Sequence, residues 1–385
     1  MVRKVKSPLR KRPRVNNKEL PYVIQLTSTN GIGPISFYSL IQKYGNAENA
    51  VNALAQQKEV SSFAAAEKEI ALAQHLNVEL ILYTDPRYPQ KLKNIPDAPP
   101  LLYALGNIDL LNYPISLAIV GARNASIAGR KTASRIAFDL TNSEVLVVSG
   151  MARGIDSAAH KGSLYAKNQQ GSTIAILGTG VDVIYPEENC SLYQQIKNHG
   201  LLLSEFPLGT PAQTSNFPRR NRLISGLTDG TLVVESSLHS GSLITAKFAL
   251  EQGKDIFAVP GSPLENRSAG PNHLIKDGAI LTESAEDILE VLKISQNQQI
   301  KDYKMSTKPL DKVKNNVNIS PQENVANLTG AKTPLLELIS YEGVDIDELL
   351  RHSGLAQAEF FTQILDLEFS GKIERQVGNR VARIK

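Results

Sequence analysis

Short runs of unbroken aliphatic residues, each followed by a glycine turn, constrain this chain more than any other feature. Residues 115–120 (ISLAIV), 145–148 (VLVV), 173–177 (TIAIL), 230–234 (GTLVV) and 255–259 (DIFAV) show no alternation of apolar and polar side chains, and 201–204 (LLLS) is a shorter example. Strands read this way when both of their faces are covered, as in a parallel sheet packed between helices. Helix-length segments separate the runs; 129–142 puts Ile136, Ala137 and Leu140 on one apolar face. The pattern predicts an α/β fold that is Rossmann-like, a mainly parallel sheet with helices on both faces. Ligands of such sheets gather beyond the carboxyl ends of the strands, near a topological switch point. Gly121, Gly150, Gly154, Gly178, Gly180 and Gly241 lie in turns at those ends, so the turns should rim one crevice.

Two segments of that rim carry charge. The turn from Gly121 to Ser126 (GARNAS) joins a strand to a helix start, an arrangement that presents backbone N–H groups to an anion, and Arg123 within it can bind a phosphate directly. The spacing is not GxGxxG, so a dinucleotide fingerprint is unsupported. An ordinary turn that needs only Gly121 is the alternative. The second segment, 204–226, packs Arg219, Arg220 and Arg222 around Asn221, directly behind Phe217 and Pro218. Guanidinium forks match phosphate oxygens, and an aromatic face accepts a stacked base. Together they suit single-stranded nucleic acid held without sequence readout. A solvated basic loop is the other reading, and one or two of the arginines can instead pair internally with Glu205 or Glu235, Arg222 foremost because it borders the apolar Leu223-Ile224.

Other polar residues invite structural roles. Asp156 and His160, four apart, can pair across one helical turn and steady the preceding glycine turn. Asn221 and Ser240 shape loops beside the crevice, and Asp182 and Tyr185-Pro186 shape the loop after their strand. Glu235 ends a strand, where it can hold a metal or a ribose hydroxyl or pack against Ser236, Ser240 or an arginine. No HExxH, CxxC pair or P-loop lysine occurs, so no metal or cofactor is expected.

The net charge of +4 is mild, so a local cluster must carry any case for nucleic acid. One cysteine, Cys190, precludes an internal disulfide framework and suits a reducing compartment. No apolar run approaches bilayer length and the amino terminus has no signal-peptide core, so a cytoplasmic location is expected, with no membrane partner. Residues 1–18 are basic and proline-interrupted, and read as a disordered tail. Residues 19–80 have a helical pattern around Gly31-Ile32-Gly33, a turn also used by helix-hairpin-helix modules. Residues 81–293 hold the Rossmann-like domain, and 294–332 form a polar linker. Helices at 334–341, 344–352 and 356–370, then a hairpin about Gly378-Asn379, make 333–385 a winged helix. Its second turn helix carries Gln357, Glu359, Gln363, Asp366 and Glu368 without a lysine or arginine. That suits protein contacts better than duplex phosphates, although Arg375, Arg380, Arg383 and Lys385 lie on the wing.

The segments GARNAS, SGMARGIDSAAH, GTGVDVIYPEEN, FPRRNRLISGL, VVESSLHSGSLITAKFALEQGKDIFAVPG and GPNHLIKDGA occur in one order over about residues 83–292. This resembles the DNA-processing protein A (DprA/Smf) family. The resemblance implies a sterile-alpha-motif-like domain at the amino end and a winged helix after the Rossmann-like domain. It implies a protein that binds single-stranded DNA in natural transformation, protects it and loads RecA onto it, without turnover and as a homodimer. Carried onto this chain, Arg123 becomes the phosphate-binding arginine. Phe217 lies near a base, and Arg219, Arg220 and Arg222 lie near the strand's backbone. Leu274-Ile275 and Ile280-Leu281 are candidate dimer contacts. An enzyme is the competing reading, since nucleoside-monophosphate phosphoribohydrolases use a similar fold with a PGGxGTxxE segment. Here Pro260-Gly261-Ser262 and GLTDGTLVVE (226–235) echo it only in part, and the missing PGG before GT and the added RRNR argue against catalysis.

Overall fold

All of the aliphatic runs become strands of one sheet. The structure, a computed structural model, describes residues 18–57, 59–166, 173–294, 335–340, 343–370, 372–376 and 380–384. The expected basic tail and polar linker lie outside the described residues, apart from Lys18 and Ile294. In chain order the helical module comprises α1 (Leu20–Thr27), α2 (Pro34–Tyr44), α3 (Ala47–Ala55) and α4 (Phe63–His75). The central domain follows with β1 (Glu79–Leu82), α5 (Gln90–Lys93), β2 (Leu101–Gly106), β3 (Ser116–Val120), α6 (Ile127–Asn142), β4 (Leu146–Ser149) and α7 (Ile155–Leu164). It continues through β5 (Thr173–Ile176), α8 (Cys190–His199), β6 (Leu201–Ser204), α9 (Asn216–Gly226), β7 (Gly230–Val233) and α10 (Gly241–Glu251). It closes with β8 (Asp255–Ala258), α11 (Ala269–Lys276), β9 (Ile280–Leu281) and α12 (Ala285–Ile294).

The nine strands run in the order β1-β2-β6-β5-β4-β3-β7-β8-β9. From β6 to β9 every pairing is parallel, while β1–β2 and β2–β6 are antiparallel. The chain steps outward from β3 through β4 and β5 to β6, then returns to place β7 on the other side of β3. The switch point therefore lies between the carboxyl ends of β3 and β7, where a ligand crevice is expected. β3 explains itself: Leu117, Ala118 and Ile119 are fully buried, with Leu117 and Ile119 packed on Ile136 and Leu140 of α6 and Ala118 facing the opposite layer. Trimming Ile119 to alanine should cost about 2–5 kcal/mol. The helical module shares a core with the sheet through Val23, Leu26 and Phe37, which cluster with Tyr103 and Leu202.

The winged helix consists of α13 (Leu335–Leu338), β10 (Val344–Asp345), α14 (Ile346–Ser353), α15 (Gln357–Phe369), β11 (Ile373–Gln376) and β12 (Arg380–Arg383). Val344 and Asp345, expected in a helix, pair with β12 instead, and Asp345 caps α14 by accepting from the amides of Asp347 and Glu348. Tyr341, the Gly378-Asn379 turn and Lys385 are outside the described residues. The module's core is Ile346, Leu349, Phe360, Ile364 and Val381, and Ile127 of α6 belongs to the same apolar cluster. Arg130 of α6 donates to the carbonyl of Leu338 at 3.1 Å.

Candidate nucleic-acid interface

A crevice of about 1000 Å³ opens at the switch point. Its floor is set by the turn after β3, where the Ala122 amide donates to the Glu235 carbonyl at 2.7 Å and the Ile155 amide donates to the Ala122 carbonyl at 3.2 Å. A side chain at Gly121 would strike Ile155, so the two turns can meet only across glycine. Gly154 has φ +74°, a conformation open to glycine, and lets α7 start against the Arg123 turn.

The four arginines have four different fates. Arg123 is exposed on the crevice wall, and its guanidinium lies 5.2 Å from the centre of the Phe217 ring. That leaves a charged fork facing open space, beside a half-buried aromatic. Arg220 also approaches this ring, with its guanidinium 6.0 Å from the centre, and lines the crevice. It is only 4% exposed and donates through Nη1 to the carbonyls of Gly150, at 2.6 Å, and Ile176. Burial pulls its pKa down to about 10, against the pull of Asp156. Arg222 is buried and clamped between Glu205 (2.6 Å) and Asp97 (2.7 Å), away from the crevice. Arg219 is exposed, stacks 5.1 Å from the Phe206 ring and faces outside the crevice. The expectation of three phosphate-facing guanidiniums on this segment therefore meets a different geometry. Residues 216–226 form the helix α9, not a loop, and a helix turns successive side chains to different sides.

Ser126 differs from expectation as well. Its amide and hydroxyl both donate to the Glu235 carboxylate, at 2.9 and 2.6 Å, while its Oγ accepts from Gly129 N and caps α6. The anion at this helix start is thus an internal carboxylate. Asp156 and His160 do not pair. Asp156 accepts from the amides of Gly150 and Ala152, fixing the turn after β4, and burial raises its pKa against the opposing pull of Arg220. His160 Nδ1 meets Thr173 Oγ1 at 2.7 Å, and Thr173 in turn donates to the Val147 carbonyl. That chain requires Nδ1 to carry a proton and donate, and burial, with Arg220 nearby, lowers the pKa to about 3 and keeps the ring neutral.

Phe217 packs flat against Gly178, where a Cβ would lie 2.9 Å from the ring. Gly180 binds the Thr210 carbonyl and lies outside the crevice lining. Asn221 bridges Arg220 and the Gly241 carbonyl, and Ser240 caps α10. One lining residue was read from the sequence only as shaping its loop, and another escaped sequence reasoning. Tyr185, 39% exposed, lies with its ring 5.5 Å from that of Phe217, forming an aromatic pair. An aromatic in a turn after a strand end was the available signal. Arg267 is half-buried on the α11 side of the crevice, and nothing in its sequence context singles it out. Among the described residues no group of His, Cys, Asp or Glu is placed to hold a metal ion. No described helix is long and apolar enough to cross a membrane.

Residues 79–293 match the family model described as DNA recombination-mediator protein A, and 320–379 match the DprA winged helix domain. Residues 18–74 match a DprA-like N-terminal HHH domain. This favours the helix-hairpin-helix alternative over the sterile-alpha-motif-like fold that the resemblance implied. The chain is similar to Protein Smf of Synechocystis sp., at 32% identity over 95% of this chain and 99% of the relative. The X-ray structure of DNA processing protein A from Streptococcus pneumoniae aligns with TM-score 0.61 and 35% identity, covering 72% of this chain and 98% of that one. A structure of DNA processing protein A from Helicobacter pylori, described for its single-stranded DNA binding mode, aligns with TM-score 0.52 and 27% identity over 58% of this chain and 99% of its own.

Proposed function

The chain belongs to the DNA recombination-mediator protein A family, and from that premise we propose that it is a single-stranded DNA-binding recombination mediator. One observation carries the reading: the exposed Arg123 guanidinium stands over Phe217 beside Tyr185, at the switch point of the sheet. A phosphate fork next to stacked aromatic faces is the minimum needed to hold an unpaired nucleotide. Arg123 binds phosphate, Phe217 and Tyr185 take bases, and Arg219 adds charge outside the crevice. Arg220 and Arg222 act beneath and beside them, holding the walls. The protein acts in the cytoplasm during natural transformation, covering incoming strands and passing them to RecA.

It works as a homodimer, so that one strand is held at two points and effective concentration raises affinity. Support for a contact near α11 and β9 comes from the sheet edge: β9 has no further described neighbour, and Leu281 on it is 48% exposed. The carboxylates at the strand ends favour a binder over a hydrolase. Asp156 is held by main-chain amides and Glu235 by Ser126, which leaves neither poised over a substrate.

The test is photo-crosslinking of an oligo-dT strand bearing 5-iodo-deoxyuridine, followed by peptide mapping. Crosslinks at Tyr185 or Phe217 are expected. Efficient crosslinking confined to other peptides would remove the strand from the crevice.

A further inference from the structure

The acidic winged helix has no role in the reading above, yet it borders the same crevice. Gly343, Val344, Asp345, Glu348 and Arg380 line one wall of the cavity that Arg123 and Phe217 also line. We propose that the β10–α14 corner of the winged helix is a docking surface for the crevice, and that this corner and a DNA strand exclude one another from the α6 side of it. The proposal rests on the strand-binding reading for the identity of the competitor.

Three observations support it. First, the corner is anchored where the strand site begins. α6 starts four residues after Arg123; its Ile127 joins the apolar core of the winged helix, and its Arg130 donates to the Leu338 carbonyl. Second, the corner brings negative charge. Asp345 is held rigidly by its cap on α14, and Glu348 lines the crevice beside it. Burial foremost, and then Arg383, disfavours the charge of Arg130, while Glu235 and then Glu348 favour it. A phosphate entering this side would meet two carboxylates and only one guanidinium, Arg380, from the winged helix. Arg380 already donates to the Gly343 carbonyl. Third, α15, the helix that would enter a DNA groove, contains no lysine or arginine. A winged helix unsuited to duplex phosphates but carrying carboxylates suits a guanidinium-bearing partner, and the α6 side of the crevice is one.

The experiment uses the full chain. Anisotropy of a fluorescent oligo-dT is measured for wild type, Glu348→Gln and Glu348→Lys. Removing one opposing charge should tighten binding by about threefold. Reversing it should tighten binding by about tenfold and steepen the salt dependence by about 0.7, one phosphate contact. Equal affinity and equal salt slope in all three proteins would overturn the proposal. In parallel, an environment-sensitive fluorophore is placed at Asp347→Cys in a Cys190→Ser background. Without DNA, Arg130→Ala should increase its exposure by loosening the anchor, and saturating oligo-dT should do the same when Arg130 is present. A label that ignores both changes overturns the docking. A label that responds to Arg130→Ala in a chain that binds no oligo-dT upholds the docking, and defeats both the exclusion and the strand reading.

Discussion

Arg123 and Arg220 both approach one aromatic ring, that of Phe217, and live in opposite surroundings. Arg123 is exposed on a turn, with its guanidinium over the Phe217 ring and Asp156 and Arg220 within electrostatic reach. Arg220 is buried on a helix beside the crevice, where its Nη1 donates to two main-chain carbonyls at the ends of neighbouring strands and its Nε to the Asn221 side chain. Both belong to arginine-bearing motifs at strand ends, and the denser motif is the less available one. A guanidinium can bind a ligand only if the fold leaves its donors unclaimed. The RRNR segment is therefore mainly a set of rivets between α9 and the sheet, while the single arginine of the β3 turn keeps its fork for an incoming anion.

The largest effect expected from this contrast is on stability. Arg220→Ala strips the partner from the Gly150 and Ile176 carbonyls and leaves buried Asp156 without the stronger of the two cations that act on it, Arg123 being the other. A loss of about 3–5 kcal/mol is expected in urea denaturation. Arg123→Ala should stay within about 0.5 kcal/mol of wild type. Equal stabilities would erase the distinction.

His160 extends the contrast to pH. Its folded pKa, about 3, lies below its ordinary value of 6.5. The unfolded chain thus takes up a proton that the folded chain refuses. Stability from this group is complete above pH 6.5 and is lost as pH falls toward 3, at about 1.4 kcal/mol per unit. His160→Gln should flatten that part of the stability profile, and an unchanged slope would mean that His160 is not buried as a neutral ring.

Binding should show the reverse ranking. Arg123→Ala removes a charged hydrogen-bonding fork, so oligo-dT affinity should drop roughly tenfold to a hundredfold. Phe217→Ala should cost about 1–3 kcal/mol through the lost stack. Arg219→Ala, at an exposed position outside the crevice, should weaken binding by no more than about fivefold. A larger loss for Arg219 than for Arg123 would move the strand to the outer face of α9.

Much of this molecule was legible in the chain because burial on both faces leaves a mark on each strand separately. The runs at 115–120 and 230–234 announced β3 and β7, and the glycine turns announced the rim. The antiparallel edge strands β1 and β2 and the position of β7 beside β3 left no comparable mark, because pairing joins residues far apart in sequence. The site divides in the same way. That Arg123 faces a crevice follows from a local motif. That Arg220 reaches back to Gly150, 70 residues earlier, is a property of the assembled sheet. Glu205 was a foreseeable partner for Arg222, whereas Asp97 comes from a segment with no signal of its own. The contact of the winged helix with α6 was equally silent, since Ile127 and Arg130 read as ordinary helix residues.

The most direct test of the central claim is the salt dependence of oligo-dT anisotropy for wild type and Arg123→Ala, on protein whose unfolding midpoints match. Arg123 as a phosphate ligand predicts weaker binding and a salt slope shallower by about 0.7 in the variant. Identical affinity and identical slope would contradict the account and leave the crevice without its anion anchor.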